Sequence, residues 1–173
     1  MLERISALAR LEEQATTDPL TGLSNRRAFL AALEGLPESG AVALIDLDHF
    51  KQLNDRFGHA AGDQALIAFA GLLSDELRAA DCAARYGGEE FALAVGDERA
   101  AVSALERLRA RWALRARGTV PYRHKLTFSA GVAARRRNET ADELLARADG
   151  ALYEAKETGR DRVVVAARQG LAG

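Results

Sequence analysis

"ARYGGEEFAL", Ala84 to Leu93, sets two glycines and two glutamates inside an otherwise apolar, strand-like run. Glycine within a strand packs nothing and costs entropy. An unpaired buried carboxylate costs far more. A tight hairpin removes both difficulties. Gly87 and Gly88 supply the positive-φ conformations such a turn needs, two apolar strands flank them, and Glu89 and Glu90 sit at the tip. At least one strand pair is therefore antiparallel. Taken alone, a Gly-Gly hairpin with exposed acids is also an ordinary solvated turn.

Outward from the hairpin, "GAVALIDLDHF" (Gly40 to Phe50) reads as a buried strand running into Asp46 and Asp48. If the hairpin pairs beside it, Asp46 and Glu89 converge. Two close carboxylates repel, and Mg²⁺, which takes one or two carboxylates plus substrate phosphates, resolves that repulsion. The plainer alternative has both aspartates capping the next helix, a role that suits Asp48. Lys51 follows as a point charge within reach of a phosphate. Asn54 and Asp63 pair an amide with a carboxylate, a combination that can read guanine, although each also suits a local helix role. Lys156 and Arg160 lie four residues apart near a helix end, where they either complement the helix dipole or clamp phosphate.

The rest of the chain alternates strands with amphipathic helices. "HFKQLNDRFG" is a short helix closed by Gly58. "GDQALIAFAGLLSDELRAA" is a helix with Asp63 in its first turn. "ERAAVSALERLRARWALRA" and "ADELLARADGALYEAKETG" are helices, and "HKLTFSAGVAA" and "RVVVAA" are strands. Ser24 or Asn25 caps the helix carrying Phe29, Leu30 and Leu33. "RRRNET" reads as a solvated basic loop. The alternation predicts helices packed on a sheet, an α+β arrangement.

Composition bounds the partners. The 173 residues suit one domain, and a net charge of -1 gives no electrostatic support for nucleic-acid binding. The single cysteine, Cys82, excludes an intrachain disulfide framework, which fits a reducing cytoplasmic setting. No apolar run is long enough to span a bilayer. Residues 1–17 read as an N-terminal linker or signalling helix, with Ile5, Leu8, Leu11 and Ala15 near one face, either a solvated entry helix or the stub of a dimeric coiled coil. Residues 18–173 form the second unit. An upstream sensor or membrane part lies beyond what this stretch can reveal.

With these pieces in place, the sequence resembles the GGDEF-domain diguanylate cyclases. Gly87-Gly88-Glu89-Glu90-Phe91 is the GGEEF form of the namesake motif. "DPLTGLSNRRAF" (Asp18 to Phe29), "DLDHFKQLNDRFGHAAGD" (Asp46 to Asp63), "FSAGVA" and "ADGALYEAKETGRDR" are similar to its other blocks, in the same order. The resemblance implies a nucleotidyl-cyclase fold related to polymerase palm domains, with a five-stranded, mainly antiparallel sheet flanked by helices. It implies condensation of two GTP into cyclic di-GMP and two pyrophosphates across a homodimer of half-sites.

By the same resemblance, Asp46, the Leu47 carbonyl and Glu89 hold Mg²⁺ (Mn²⁺ as a substitute), with Glu90 assisting. Glu89 is the base, Lys51 stabilises transition-state charge, and Asn54 and Asp63 bind guanine. The amides of His49 and Phe50, with Lys156 and Arg160, hold the terminal phosphates, while Gly87 and Gly88 leave room for substrate. Arg78-Ala79-Ala80-Asp81 is an RxxD placed where the family binds inhibitory product, with Arg109 or Arg107 completing it and Arg109 the choice. Glu89 in place of the name-giving Asp, Asp161 where Asn is usual and His49 where a bulky residue is usual are the departures. The rivals are an inactive member that senses GTP or cyclic di-GMP, a cyclase of altered product, against which Asp63 argues, and a plain dimerisation domain.

Overall fold

The computed structural model describes residues 16–119 and 126–167; the expected N-terminal helix over Leu2 to Ala15 lies outside them. In chain order the elements are β1 (Ser24–Asn25), α1 (Arg26–Glu34), β2 (Ala41–Leu47), α2 (Phe50–Phe57), α3 (His59–Asp75), β3 (Cys82–Arg85), β4 (Glu90–Val95), α4 (Glu98–Thr119), β5 (Phe128–Ala134), α5 (Ala141–Glu157) and β6 (Val163–Val165). The sheet has six strands, not the five expected, in the order β1-β3-β4-β2-β5-β6. The addition is the two-residue β1, parallel to β3, which is too short to carry a period in sequence. The inner pairs β3–β4, β4–β2 and β2–β5 are antiparallel, and β6 runs parallel to β5.

Period-2 alternation in β2 divides the core. Ala41, Ala43, Ile45 and Leu47 pack with α2, α3 and α4 on one face. Val42 and Leu44 pack with α1 and α5 on the other. Asp46 continues that second set, so the strand's own periodicity aims its carboxylate to the face that α5 covers. Aromatic residues are few, yet they occupy the centre: Phe69 stacks on Phe91, Trp112 and Phe128 with ring centroids 4.9, 5.2 and 5.3 Å away.

Several local devices fix these elements. The Asn25 side chain accepts from the Ala28 amide at 3.0 Å and caps α1. α5 opens with a reciprocal capping box between Thr140 and Glu143, which satisfies two amides of its first turn. Gly131 in β5 has no space for a β-carbon, which would collide with backbone atoms of Ala148, Ala151 and Leu152. The missing side chain lets α5 lie directly on the sheet. Three expectations change. α3 begins at His59, so Asp63 lies beyond its first turn, and it ends at Asp75, short of Ala80. The basic "RRRNET" segment is tethered, since Arg135 donates to the Leu33 and Leu36 carbonyls and closes the end of α1. Gly87 and Gly88 do not occupy positive φ.

Candidate active site

The last point changes the physical reason for the glycine pair. The hairpin is wider than a two-residue turn: Arg85 pairs with Phe91, and the Tyr86 and Gly87 amides both donate to the Glu90 carbonyl, at 2.7 and 3.1 Å. A β-carbon on Gly87 would strike the Glu90 carboxylate, whereas one on Gly88 would meet open space. That carboxylate is the far end of a flexible, exposed side chain that can swing aside, so neither positive φ nor tight packing by itself demands glycine at 87, and what the pair leaves at the tip is open space. Arg85 holds the tip by donating to the Gly88 carbonyl from Nε and Nη2 at 3.0 and 2.8 Å, and it pairs with Asp18 at 3.3 Å. The sequence reading gives Arg85 no role; its place two residues before Gly87 is the available signal.

Pairing of β2 with β4 sets Asp46 opposite Glu90, and the Leu47 amide donates to the Glu89 carbonyl at 3.3 Å. The expected convergence of the two acidic tips is therefore present. Burial pushes the Glu89 carboxyl above its ordinary range, and the neighbouring charges of Asp46 and Glu90 push it further. Burial also raises Asp46; Lys156 and Arg160 pull the other way without cancelling it, and Asp48 adds to the rise. Lys156 Nζ lies 3.0 Å from Asp46 Oδ2. Two partly buried carboxylates, both raised by burial and by nearby like charge and only partly offset by Lys156, fit a hard divalent cation with oxygen ligands. Among the described residues no group of three or more His, Cys, Asp and Glu side chains is arranged to hold a metal ion by itself, so substrate oxygens would have to complete the coordination.

Asp48 departs from its expected role. His49 occupies the N-cap of α2 with φ 59, and no side chain caps that helix. Histidine is one of the residues that tolerate this left-handed conformation. Asp48 is instead buried at 2% exposure. It accepts from Thr127 Oγ1 at 2.7 Å, Ser129 Oγ at 2.8 Å and the Asp161 amide at 3.1 Å.

Beside this edge, Lys51 is exposed in the first turn of α2, and Phe50 is buried. The Asn54 Oδ1 atom is buried with no hydrogen-bond partner and lies over Gly62 of α3, where a β-carbon would collide with it. Asp63 follows Gly62 and is exposed. An orphaned amide oxygen and an exposed carboxylate are two acceptors, a match for a ligand edge that carries N–H donors.

The Arg78–Asp81 corner forms a separate cavity of about 400 Å³, lined also by Glu76, Asp97, Arg99 and Arg107. The Arg78 amide donates to Asp81 Oδ2 at 2.9 Å. Arg107, not the favoured Arg109, lines this cavity. The two residues are two apart on α4 and so point to different faces. Arg109 pairs with Glu106 at 3.0 Å and Asp161 at 3.5 Å.

Residues 15–162 match the family described as diguanylate cyclase, GGDEF domain. The chain is 42% identical over 191 residues to the diguanylate cyclase DgcP of Pseudomonas aeruginosa, covering 96% of this chain and 28% of that protein. It is 39% identical over 166 residues to the response regulator PleD of Caulobacter vibrioides, covering 88% of this chain and 36% of that one. It thus spans well under half the length of these two relatives. The fold superposes with TM-score 0.85 and 36% identity on the coiled coil and GGDEF domain of DgcB from Caulobacter crescentus in complex with c-di-GMP, over 95% of this chain and 93% of that one. A second match, TM-score 0.80 and 39% identity over 95% of this chain and 66% of the other, is diguanylate cyclase SiaD from Pseudomonas aeruginosa in complex with its activator SiaC. No described helix is long and apolar enough to cross a membrane.

Proposed function

Because the chain belongs to the GGDEF-domain diguanylate cyclase family, we propose that it joins two GTP molecules into cyclic di-GMP and releases two pyrophosphates. The observation that carries this reading is the crowded Asp46–Glu89 edge faced by Lys156 and Arg160. Asp46, the Leu47 carbonyl and Glu89 are the groups that would hold Mg²⁺, with Glu90 beside them; the ion would neutralise and polarise the reacting phosphate.

The chain's own residues divide the remaining work. Asn54 and Asp63 take the guanine, the Asn54 oxygen gaining the partner it lacks. The His49 and Phe50 amides at the start of α2 receive the terminal phosphates, joined by Lys156 from the end of α5 and Arg160 from the turn after it. Lys51 offsets charge growing at the α-phosphate. Glu89, its affinity for protons raised by burial and by Asp46, accepts the ribose 3′ proton. The 3′ oxygen bonds to the α-phosphorus of the second GTP, and the bond to its pyrophosphate breaks. Each half-site thus needs a second protomer, so the active form is a homodimer. Product returns to the Arg78–Asp81 cavity, with Arg107 on its wall, and slows turnover.

The test is purified protein with GTP and Mg²⁺, the products separated by chromatography beside a Glu89→Gln control. Cyclic di-GMP from the parent alone is the expected result. GTP bound but not consumed would make the domain a nucleotide sensor.

A further inference from the structure

Asp48 lies two residues beyond the metal-facing Asp46, yet its carboxylate is fully occupied inside the protein. Its three donors come from distant parts of the chain: Thr127 and Ser129 on β5 or directly before it, and Asp161 from the loop after α5. That loop has an unusual backbone. Gly159, Arg160 and Asp161 take φ values of 119, 62 and 49 in succession. Left-handed conformations at two adjacent residues with side chains persist only when the surroundings hold them. Asp161 is held from two sides. Its amide donates to Asp48, while its carbonyl and carboxylate accept from Arg109 Nη1 at 3.4 and 3.5 Å. The loop directly follows the helix that delivers Lys156, and it contains Arg160.

Building on the proposed cyclase site, we propose that Asp48 is a positioning residue: it ties the left-handed Arg160–Asp161 turn to the end of β2 and thereby aims Arg160 and Lys156 at the terminal phosphates. An alanine at 48 leaves two hydroxyls and one amide without their acceptor and frees the turn. An asparagine keeps the shape and an acceptor oxygen for Thr127 and Asp161, and Ser129 can reverse its hydroxyl to accept from the new amide. The function assigned to Asp48 is therefore hydrogen-bonding geometry, not charge.

The experiment measures binding of GTP and of GMP, plus kcat and KM with Mg²⁺, in the parent, Asp48→Ala, Asp48→Asn and the milder Thr127→Val. GMP retains the base but lacks the β- and γ-phosphates. Asp48→Ala should weaken GTP by about tenfold or more while leaving GMP within about twofold, and kcat should fall by about 10²-fold through misplacement. Asp48→Asn should recover most of both losses. If Asp48→Ala fails to fold, the same split in smaller measure in Thr127→Val supports the proposal. Equal weakening of GTP and GMP in the folded variants, or parent-like GTP binding in them, overturns it. A parent that binds GTP no better than GMP and makes no cyclic di-GMP instead overturns the reading of the site itself.

Discussion

The acidic end of β2 and the Arg78–Asp81 corner both gather charged side chains, but in opposite states of balance. At the corner, Glu76 is nearly enclosed and bonded to Arg107 at 2.7 Å and Arg111 at 2.6 Å. Burial alone would raise its carboxyl, yet the hydrogen bonds from Arg111 and Arg107 outweigh that and hold it below the ordinary range. At the end of β2, burial and like charge prevail and hold Asp46 and Glu89 above it. A carboxylate satisfied in place is part of the scaffold. Carboxylates left crowded anticipate a positive charge from outside.

The largest expected effect tests that distinction through turnover. Glu89→Gln should lower cyclic di-GMP formation by about 10³-fold or more, since on the proposed reading it removes a metal ligand and the base together. Residual turnover within tenfold of the parent would remove Glu89 from both roles.

Next comes the corner. Arg78→Ala should weaken binding of cyclic di-GMP to the isolated protein by about tenfold, the loss of one charge-assisted hydrogen bond. Arg107→Ala should weaken it too, and Arg109→Ala should not, because Arg109 engages Asp161. Calorimetric titration of the three variants would reveal any other ranking.

Stability offers a sharper contrast, because the same kind of substitution carries opposite signs. Glu76 has a depressed folded-state pKa, so its ionised form stabilises the protein above the unfolded value, and that stability is lost as pH falls through the folded one. Glu76→Gln should cost about 1 kcal/mol near neutrality, discounted for its exposed arginine partners, and nothing in strong acid. Glu89 is raised above its ordinary 4.5, so its ionised form opposes folding at neutral pH and ceases to do so as pH drops below that value. Without metal, Glu89→Gln should raise the melting temperature slightly near neutrality and lose that advantage in acid; added Mg²⁺ should stabilise the parent more than the variant. Equal signs at the two positions would erase the contrast.

The smallest effect lies away from both regions. Thr140→Ala removes the cap of α5 and should cost about 1 kcal/mol, lowering the melting temperature by about 2–4 °C.

The sequence disclosed the site better than it disclosed its supports. Asp46 and the glycine hairpin were legible because a long apolar strand ending in acids and a glycine pair between strands are both local patterns. The helices were legible from period, but α3 starts earlier because a chain can turn at Gly58, with φ 84, and re-enter a helix at once. β1 has only two residues and no pattern to read. The choice between Arg107 and Arg109 required knowing which face of α4 meets the corner, a tertiary fact. Asp48 was read as a cap because its three partners are separated from it by 79 to 113 residues. The capping box of α5 is visible as Thr140-x-x-Glu143, but it straddles the basic loop and the helix that follows, so neither segment shows it alone.

One atom that is missing by design governs more than its position suggests. Gly131 sits in the middle of β5, across the sheet pairing from Leu44 and away from any reacting group. Adding a single methyl there would lever the fifth helix off the strands and carry Lys156, with the turn that holds Arg160, away from the acidic end of β2. In an unbiased mutational screen this inert position would score alongside the ligands, and a rescue search would return compensating trims on the helix underside, not replacements among the charged groups.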